Sequence, residues 1–169
     1  MALAQLSGVS NEEIKTGMAS FRGVDRRFDF KIKTDKVVYL SDYAHHPEEI
    51  KQSILSMRAL YGDKKLTGIF QPHLYTRTRD FYQEFADSLS LLDEVILTDI
   101  YPARELPIEG VSSQLIYDNL RPDIDKILCT KEEVIDILKK KEIEVLMTLG
   151  AGDIENYAPQ ICEILNERC

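Results

Sequence analysis

The stretch that decides the fold of this chain runs Val37-Val38-Tyr39-Leu40-Ser41-Asp42-Tyr43-Ala44-His45-His46-Pro47. It begins with an apolar run typical of a buried β-strand and ends on a proline that suits the first position of a helix, where no hydrogen bond is lost. A second stretch repeats this design, with Leu66-Thr67-Gly68-Ile69-Phe70 followed by Gln71-Pro72-His73-Leu74-Tyr75-Thr76-Arg77-Thr78-Arg79-Asp80. Both junctions are therefore expected beyond the carboxyl ends of strands, where open α/β sheets bind ligands.

Strands and helices alternate along the rest of the chain. Ser10 and Glu13 predict a capping box before a first helix, and the apolar alternation over 28–34, a turn at 35–36 and a strand at 37–40 predict an antiparallel hairpin. The predicted helices cover 11–20, 48–60, 80–91, 113–120, 131–140 and 154–167, and the remaining strands cover 66–70, 94–98, 126–129 and 145–149. This order predicts an α/β fold, a Rossmann-like open and mostly parallel sheet with helices on both faces and the hairpin at its edge.

Composition excludes several classes of function. The 169 residues are 44% hydrophobic, and a net charge of −8 argues against nucleic acid as a partner, because phosphate binding needs clustered basic residues. No apolar run approaches the roughly 18 residues of a membrane span, and no signal-peptide pattern begins the chain, so a cytoplasmic protein without a membrane partner is expected. Cys129, Cys162 and Cys169 show no C-x-x-C spacing and are expected to be reduced thiols.

All three histidines lie at the two junctions. Asp42 offers acceptors to a ribose hydroxyl or an ammonium group, and Tyr43 and His45 are placed to frame a small ligand. The structural alternative is that His46 caps the following helix and that Asp42 accepts hydrogen bonds from loop amides. Zinc is a further alternative, but no H-x-x-x-H spacing supports it and the nearby arginines would repel a cation, so no metal site is predicted.

The second junction carries two arginines. The forked guanidinium groups of Arg77 and Arg79 suit a carboxylate or a phosphate. Alternatively, one or both pair with Asp80 or Glu84 on the following helix, which would contribute little. A third candidate segment is Gly150-Ala151-Gly152-Asp153, where glycines let backbone amides approach a ligand or a neighbouring loop closely, although simple turn geometry explains them nearly as well.

The chain carries no complete catalytic apparatus that sequence motifs can identify. It has neither a G-x-x-x-x-G-K-[ST] phosphate loop nor a G-x-S-x-G nucleophile elbow. Its longest connection, 100–112, exceeds the usual two to six residues and is expected to be functional. The chain therefore looks like part of an enzyme, with 1–24 as a helix and hinge from a preceding domain and 25–169 as a domain of its own.

Five motifs resemble the C-terminal domain of the ATP-dependent Mur ligases of bacterial peptidoglycan synthesis, in particular the branch that adds L-alanine. They are Phe21-Arg22-Gly23-Val24-Asp25-Arg26-Arg27-Phe28, Asp42-Tyr43-Ala44-His45-His46-Pro47, Phe70-Gln71-Pro72-His73 with Arg77-Thr78-Arg79-Asp80, Asp99-Ile100-Tyr101-Pro102-Ala103-Arg104-Glu105 and Leu149-Gly150-Ala151-Gly152-Asp153. The resemblance spans nearly the whole chain. It implies a third domain, which closes on an N-terminal domain that holds a UDP-sugar and a central domain that carries the phosphate loop.

The resemblance also implies a reaction. ATP, with Mg²⁺, phosphorylates the lactyl carboxylate of UDP-N-acetylmuramate, and the amine of L-alanine attacks the acyl phosphate, which leaves ADP and phosphate as products. Catalysis of this kind depends on positioning and charge stabilisation. Without the phosphate loop, this chain is expected to be inactive alone.

Single residues receive amino-acid-binding roles from the same resemblance. Arg77 would hold the alanine carboxylate, and Tyr43 and His45 would shape the pocket around it. Some members carry an arginine where this chain has Leu74, which gives a double clamp on the carboxylate. Here Arg77 acts alone, or Arg79 or another donor compensates.

Other residues receive roles in nucleotide binding and catalysis. Asp42 and His46 would lie toward the nucleotide. Asp42 and Arg27 are the expected catalytic residues, with Arg27 in the hinge and close to the phosphates after domain closure. Further candidates are His73, Arg79, Gly150 and Gly152.

Two alternatives to the alanine-adding branch stay open. One is the related recycling ligase, which joins the same UDP-sugar to a murein tripeptide, although residues 71–79 favour the alanine branch. The other is a stand-alone Rossmann-like binding module for a nucleotide or an amino acid.

Overall fold

A computed structural model describes residues 2–21 and 23–168; Met1, Arg22 and Cys169 lie outside the described residues. Its strands are β1 (Asp29–Lys33), β2 (Val38–Asp42), β3 (Leu66–Phe70), β4 (Glu94–Leu97), β5 (Asp125–Leu128) and β6 (Val145–Leu149). They form one sheet in the order β1-β2-β6-β3-β4-β5, in which β1 runs antiparallel to β2 and the other neighbours are parallel. The predicted mostly parallel sheet with an antiparallel edge hairpin is confirmed.

Helices cover both faces of this sheet, as predicted. The α-helices are α1 (Ala2–Leu6), α2 (Asn11–Ser20), α3 (Pro47–Leu60), α4 (Tyr75–Leu89), α5 (Gln114–Asn119), α6 (Val134–Lys139) and α7 (Ala158–Asn166). Side chains alternate between two buried clusters along each central strand, because successive residues of a strand point to opposite faces. In β2, Val38 and Leu40 pack in the cluster formed with α3, α4 and α5, whereas Tyr39 packs in the cluster formed with α6 and α7.

Strand order explains why distant junctions meet. β6 is last in sequence but lies between β2 and β3, which places the segments after all three strands side by side. The Gly150 N–H donates to the Asp42 carbonyl at 3.2 Å, and the Gln71 N–H donates to the Leu149 carbonyl at 3.1 Å. The three candidate segments therefore share one sheet edge, at the point where the crossover helices change face.

The predicted start of α4 at Asp80 is wrong, because the helix begins at Tyr75. Residue Leu74 has a φ of 75°, which turns the chain sharply before the helix, and Phe81 has non-helical dihedrals that kink the helix close to the predicted start. The consequence is that Arg77 and Arg79 lie on the first turns of α4 and not in a loop before it.

Other boundaries differ from the predictions by smaller amounts. The predicted helices at 131–140 and 154–167 each open with a 3-10 turn, at Lys131–Glu133 and Asp153–Tyr157. Residues 2–6 form α1, which the sequence analysis did not predict, whereas the capping box before α2 is confirmed by the bond from the Glu13 N–H to the Ser10 hydroxyl at 3.3 Å.

The amino-terminal helices α1 and α2 bury none of their described side chains. The thiols of Cys129 and Cys162 are free and half-buried, and burial raises the pKa of both; Cys169 lies outside the described residues. Among the described residues, no helix has the length and apolar character needed to cross a membrane.

Candidate functional site

Four aromatic and histidine rings line up at the carboxyl edge of the sheet. The Tyr43 ring lies 5.2 Å from the His45 ring, which lies 6.2 Å from the His73 ring, and His73 stacks on Tyr101 at 5.6 Å between ring centres. The first pair comes from the β2 junction, His73 comes from the β3 junction, and Tyr101 comes from the long loop 100–112. The sequence candidates Tyr43, His45 and His73 are thus brought together.

His45 is held in one orientation by its own junction. Its Nδ1 lies 3.0 Å from the Tyr43 carbonyl oxygen, and because a carbonyl only accepts, Nδ1 carries the proton when the ring is neutral. The Nε2 atom then keeps its lone pair and is an acceptor for an ammonium or hydroxyl group.

Arg77 reaches this row of rings from the first turn of α4. Its Nη1 lies 3.3 Å from His73 Nδ1, and since a guanidinium only donates, the imidazole is the acceptor and must be neutral there. Burial, then the charge of Arg77 and then that of His45 hold the pKa of His73 below its ordinary value of 6.5. Arg77 makes no ion pair with a carboxylate of the described residues. Arg77 is therefore a cation beside the row of rings, with N–H donors that no carboxylate of the described residues accepts.

The neutral state of His73 predicts a pH dependence of stability. A histidine whose pKa is lowered on folding binds fewer protons in the folded than in the unfolded chain, so stability is full above the unfolded pKa and is lost as pH falls below it toward the folded pKa. The urea concentration at the unfolding midpoint should therefore decrease as the pH is lowered from about 7.5 to about 5.5.

The His73→Gln variant isolates this effect, because glutamine keeps an acceptor for Arg77 but does not titrate. Its urea midpoint should fall less than that of the wild type over the same interval, with Glu105 and His45, the other titratable neighbours, unchanged. Equal losses in both proteins would assign the acid sensitivity to another group.

Asp42 and Arg27 line a second part of the site, a hollow of about 330 Å³ beside α3. The Asp42 carboxylate accepts hydrogen bonds from the Ser53 hydroxyl and from the Ala44 N–H, the latter at 3.3 Å. This confirms the structural alternative for Asp42, while one face of the residue stays open to the hollow. The exposed Arg27 lines the same hollow, and its guanidinium carbon lies 5.7 Å from the Tyr43 ring centre.

His46 lies apart from Asp42, although the resemblance gave both to the nucleotide. Its ring is 5.1 Å from the Phe81 ring and lines a groove of about 460 Å³ between α3 and α4. His46 is the N-cap residue of α3 and forms a capping box with Glu49, whose carboxylate accepts from the N–H groups of His45 and His46 at 3.0 and 3.2 Å. The structural alternative, in which His46 occupies the cap of the following helix, is therefore confirmed.

Arg79 and the two glycines have structural partners. The Arg79 Nε donates to Asp80 at 2.7 Å, and its side chain is 52% exposed, so the predicted surface ion pair is confirmed for this residue. A Cβ at Gly150 would lie 2.6 Å from the Gln71 carbonyl oxygen, and one at Gly152 would lie 2.8 Å from Tyr101 Cβ. The close approach that these glycines permit is thus to neighbouring loops.

The long loop 100–112 supports the second junction. The sequence predicted that this loop is functional but assigned no role to its individual residues. The Leu74 N–H donates to the Tyr101 carbonyl at 2.9 Å, and the Tyr101 N–H donates to the Pro72 carbonyl at 2.8 Å. The Glu105 carboxylate accepts from the Thr76 N–H at 3.0 Å and from the Thr76 hydroxyl, and these bonds lower its pKa. Glu105 therefore caps the helix that carries Arg77.

Replacing Glu105 by alanine should lower the urea midpoint of the chain, because it removes the acceptor from the exposed N–H groups at the start of α4. Glu109→Ala is the matched control, since Glu109 is exposed in the same loop and takes part in no hydrogen bond or ion pair of the described residues. If both variants unfold at the same urea concentration, the cap does not stabilise α4.

The donor atoms at this edge do not form a metal site. Among residues 2–21 and 23–168, no group of three or more His, Cys, Asp or Glu side chains is arranged to hold a metal ion. The hollow beside α3 is lined by two carboxylates, Asp42 and Glu49, and by the guanidinium of Arg27.

Residues 26–154 match the family described as Mur ligase, glutamate ligase domain. The match covers more than half of the chain, and the chain therefore belongs to the Mur ligase family. The resemblance stated from the sequence is confirmed at this level.

Individual relatives narrow the comparison. The UDP-N-acetylmuramate–L-alanine ligase of Phocaeicola vulgatus is 79% identical over 168 residues, which cover 99% of this chain and 37% of the relative. The crystal structure of UDP-N-acetylmuramate-alanine ligase MurC from Thermotoga maritima matches with a TM-score of 0.79 at 26% identity, over 99% of this chain and 36% of that chain. MurF ligase from the same organism, in complex with ADP, shares the fold with a TM-score of 0.66 at 17% identity, over 99% and 37% of the two chains. The chain thus spans a little over a third of the length of the relatives it matches.

Proposed function

We propose that this chain is the amino-acid-binding and ATP-closing domain of a cytoplasmic ligase that joins L-alanine to UDP-N-acetylmuramate in peptidoglycan synthesis. The reaction consumes ATP, passes through an acyl phosphate and releases ADP and phosphate. The observation that carries the proposal is Arg77, which has no carboxylate partner among the described residues and lies beside the rings of His73, His45 and Tyr43. The 79% identity with an alanine ligase supports this choice of substrate.

The row of rings forms the amino-acid pocket. Arg77 holds the carboxylate of alanine through charge-assisted hydrogen bonds, which are stronger than neutral ones. His73 fixes Arg77 by accepting from its Nη1. His45 presents the lone pair of Nε2 to the amine, and Tyr43 closes the wall behind it.

The hollow beside α3 serves the phosphate side of the reaction. Arg27 supplies positive charge to the phosphates as the domain closes, and the Ser53 hydroxyl fixes the Asp42 carboxylate toward the nucleotide. His46 meets another part of the nucleotide along its groove with Phe81. Mg²⁺ would supply charge neutralisation of the phosphates when bound.

The remaining parts of the enzyme lie outside this chain. Residues 1–24, which include α1 and α2, link residues 25–169 to a central domain with the phosphate loop and an N-terminal domain for the UDP-sugar. ATP hydrolysis needs those domains, so the isolated chain is inactive.

Phosphate release by the full-length ligase tests this proposal. The assay contains ATP, Mg²⁺ and UDP-N-acetylmuramate, and compares L-alanine with the murein tripeptide, with the isolated chain as a control. We expect release that depends on alanine and none from the isolated chain. Release with the tripeptide only would move the assignment to the recycling ligase, and release with neither amine would leave a stand-alone binding module.

A further inference from the structure

Arg26 is a charged residue that the sequence motifs did not single out as a site. Its guanidinium carbon lies 4.7 Å from the centre of the Tyr43 ring, and its Nη2 lies 3.4 Å from the Gly152 carbonyl oxygen, a long contact. Its Nε is buried and has no hydrogen-bond partner in the structure. A buried donor without an acceptor is costly, and such groups are rare in folded proteins.

The backbone around Arg26 fixes this position. Residue 26 has a φ of 63°, and the Tyr43 N–H donates to the Arg26 carbonyl at 2.6 Å. The Arg26 N–H lies 3.4 Å from the Asp29 carboxylate. The segment is thus hydrogen-bonded to the β2 junction, and these bonds hold the unpaired Nε at the edge of the candidate site.

The positive charges of Arg26 and Arg27 favour the binding of an anion from outside the chain. Arg27 lies over the same Tyr43 ring, and neither arginine makes an ion pair with a described carboxylate. Asp29, which accepts from the Arg26 N–H, forms its ion pair with Lys31 at 2.7 Å. Elsewhere in the chain, Arg58 is paired with Asp93 and Arg121 with Asp123.

Arg26 also completes the wall of the amino-acid pocket. Contacts run from Arg26 to Tyr43, His45, His73 and Tyr101 in turn, and Tyr101 lies against Gly152, whose carbonyl meets Arg26 again. The residues form a closed ring, with Arg77 attached at His73 and Arg26 on the far side.

We propose that Arg26 is a further substrate-binding residue, which donates its Nε and Nη hydrogens to an anionic oxygen at the end of the pocket opposite Arg77. This inference rests on the proposed function and adds a second cation to its site. The oxygen belongs either to the carboxylate of the amine substrate or to the acyl phosphate that the amine attacks. The carboxylate is planar and the phosphoryl group is tetrahedral, but each presents two anionic oxygens that a forked donor can bind.

The test is steady-state kinetics of the full-length ligase with Arg26→Met and Arg26→Lys, using L-alanine and L-alaninamide as amines. We expect Arg26→Met to lower kcat/KM for alanine by roughly tenfold or more, with the melting midpoint of the fold retained. A rise in alanine KM that is absent for alaninamide assigns the contact to the carboxylate, and a fall in kcat with both amines assigns it to the acyl phosphate. Arg121→Met, the same change at an exposed arginine, should leave both constants unchanged.

Arg26→Lys keeps a positive charge over Tyr43 but has no Nε donor fork, so it tests the hydrogen bond even if the methionine variant fails to fold. We expect a loss of several-fold, and wild-type kinetics in this variant would overturn the role of Arg26. If the wild-type enzyme uses alanine and the Arg26→Met variant has the same kcat and KM for alanine, this inference alone is overturned. If the wild-type enzyme releases no phosphate with either amine, the proposed function and this inference are overturned together.

Discussion

Replacing Arg77 by methionine in the full-length ligase should raise the Michaelis constant for L-alanine by roughly 10- to 150-fold. A hydrogen bond to a charged group is worth about 1.5 to 3 kcal/mol, and each 1.4 kcal/mol changes affinity tenfold. The Michaelis constant for ATP should stay near its wild-type value, because Arg77 lies at the amino-acid end of the ring of residues. The measurement is phosphate release as a function of alanine concentration.

Arg79→Met is the matched control for this experiment, because it lies two residues further along the same helix. Its guanidinium is paired with Asp80 and half exposed, so its loss should change the alanine constant by less than about twofold. A large effect at Arg79 with a small one at Arg77 would show that Arg79 compensates for the absence of an arginine at Leu74, and would reverse the assignment of the clamp.

Gly150→Ala should destabilise the isolated chain by about 2 to 6 kcal/mol. Residue 150 has a φ of 134°, which strains any other residue, and the new Cβ would lie 2.6 Å from the Gln71 carbonyl oxygen. Backbone strain and overpacking each cost about 1 to 3 kcal/mol. Urea denaturation followed by far-ultraviolet circular dichroism measures the loss.

Gly110→Ala separates the two causes. Gly110 has a φ of 75°, but a Cβ there meets nothing within 4 Å. This variant should therefore lose only the strain energy, about 1 to 2 kcal/mol. Equal losses at the two glycines would mean that the approach of Gln71 to residue 150 does not constrain the junction.

The sheet could be predicted because its information is local. The runs at 66–70 and 145–149 are mostly apolar and are bounded by helical patterns, and both strands have the predicted bounds. They are buried on two faces, so each large apolar residue of the run packs in one of the two cores. The capping box of α2 needs only Ser10 and Glu13, three residues apart.

The start of α4 and the shape of the site could not be predicted, because their determinants are distant in sequence. Glu105, which caps α4, is 29 residues from Thr76. Asp42 and His46 are close in sequence, yet they face different hollows on either side of the start of α3. Arg26 reaches the pocket only because of its positive φ and its bond to Tyr43, neither of which a motif specifies.

The exposed amino-terminal helices determine what a denaturation curve of this chain reports. No side chain of α1 or α2 is buried, and Leu3 and Leu6 are 80% and 85% exposed. Short helices without tertiary packing are marginal in water, so residues 2–20 open and close without disturbing the sheet. The cooperative unit of this chain therefore starts after them, and its unfolding free energy belongs to the sheet and its two cores alone.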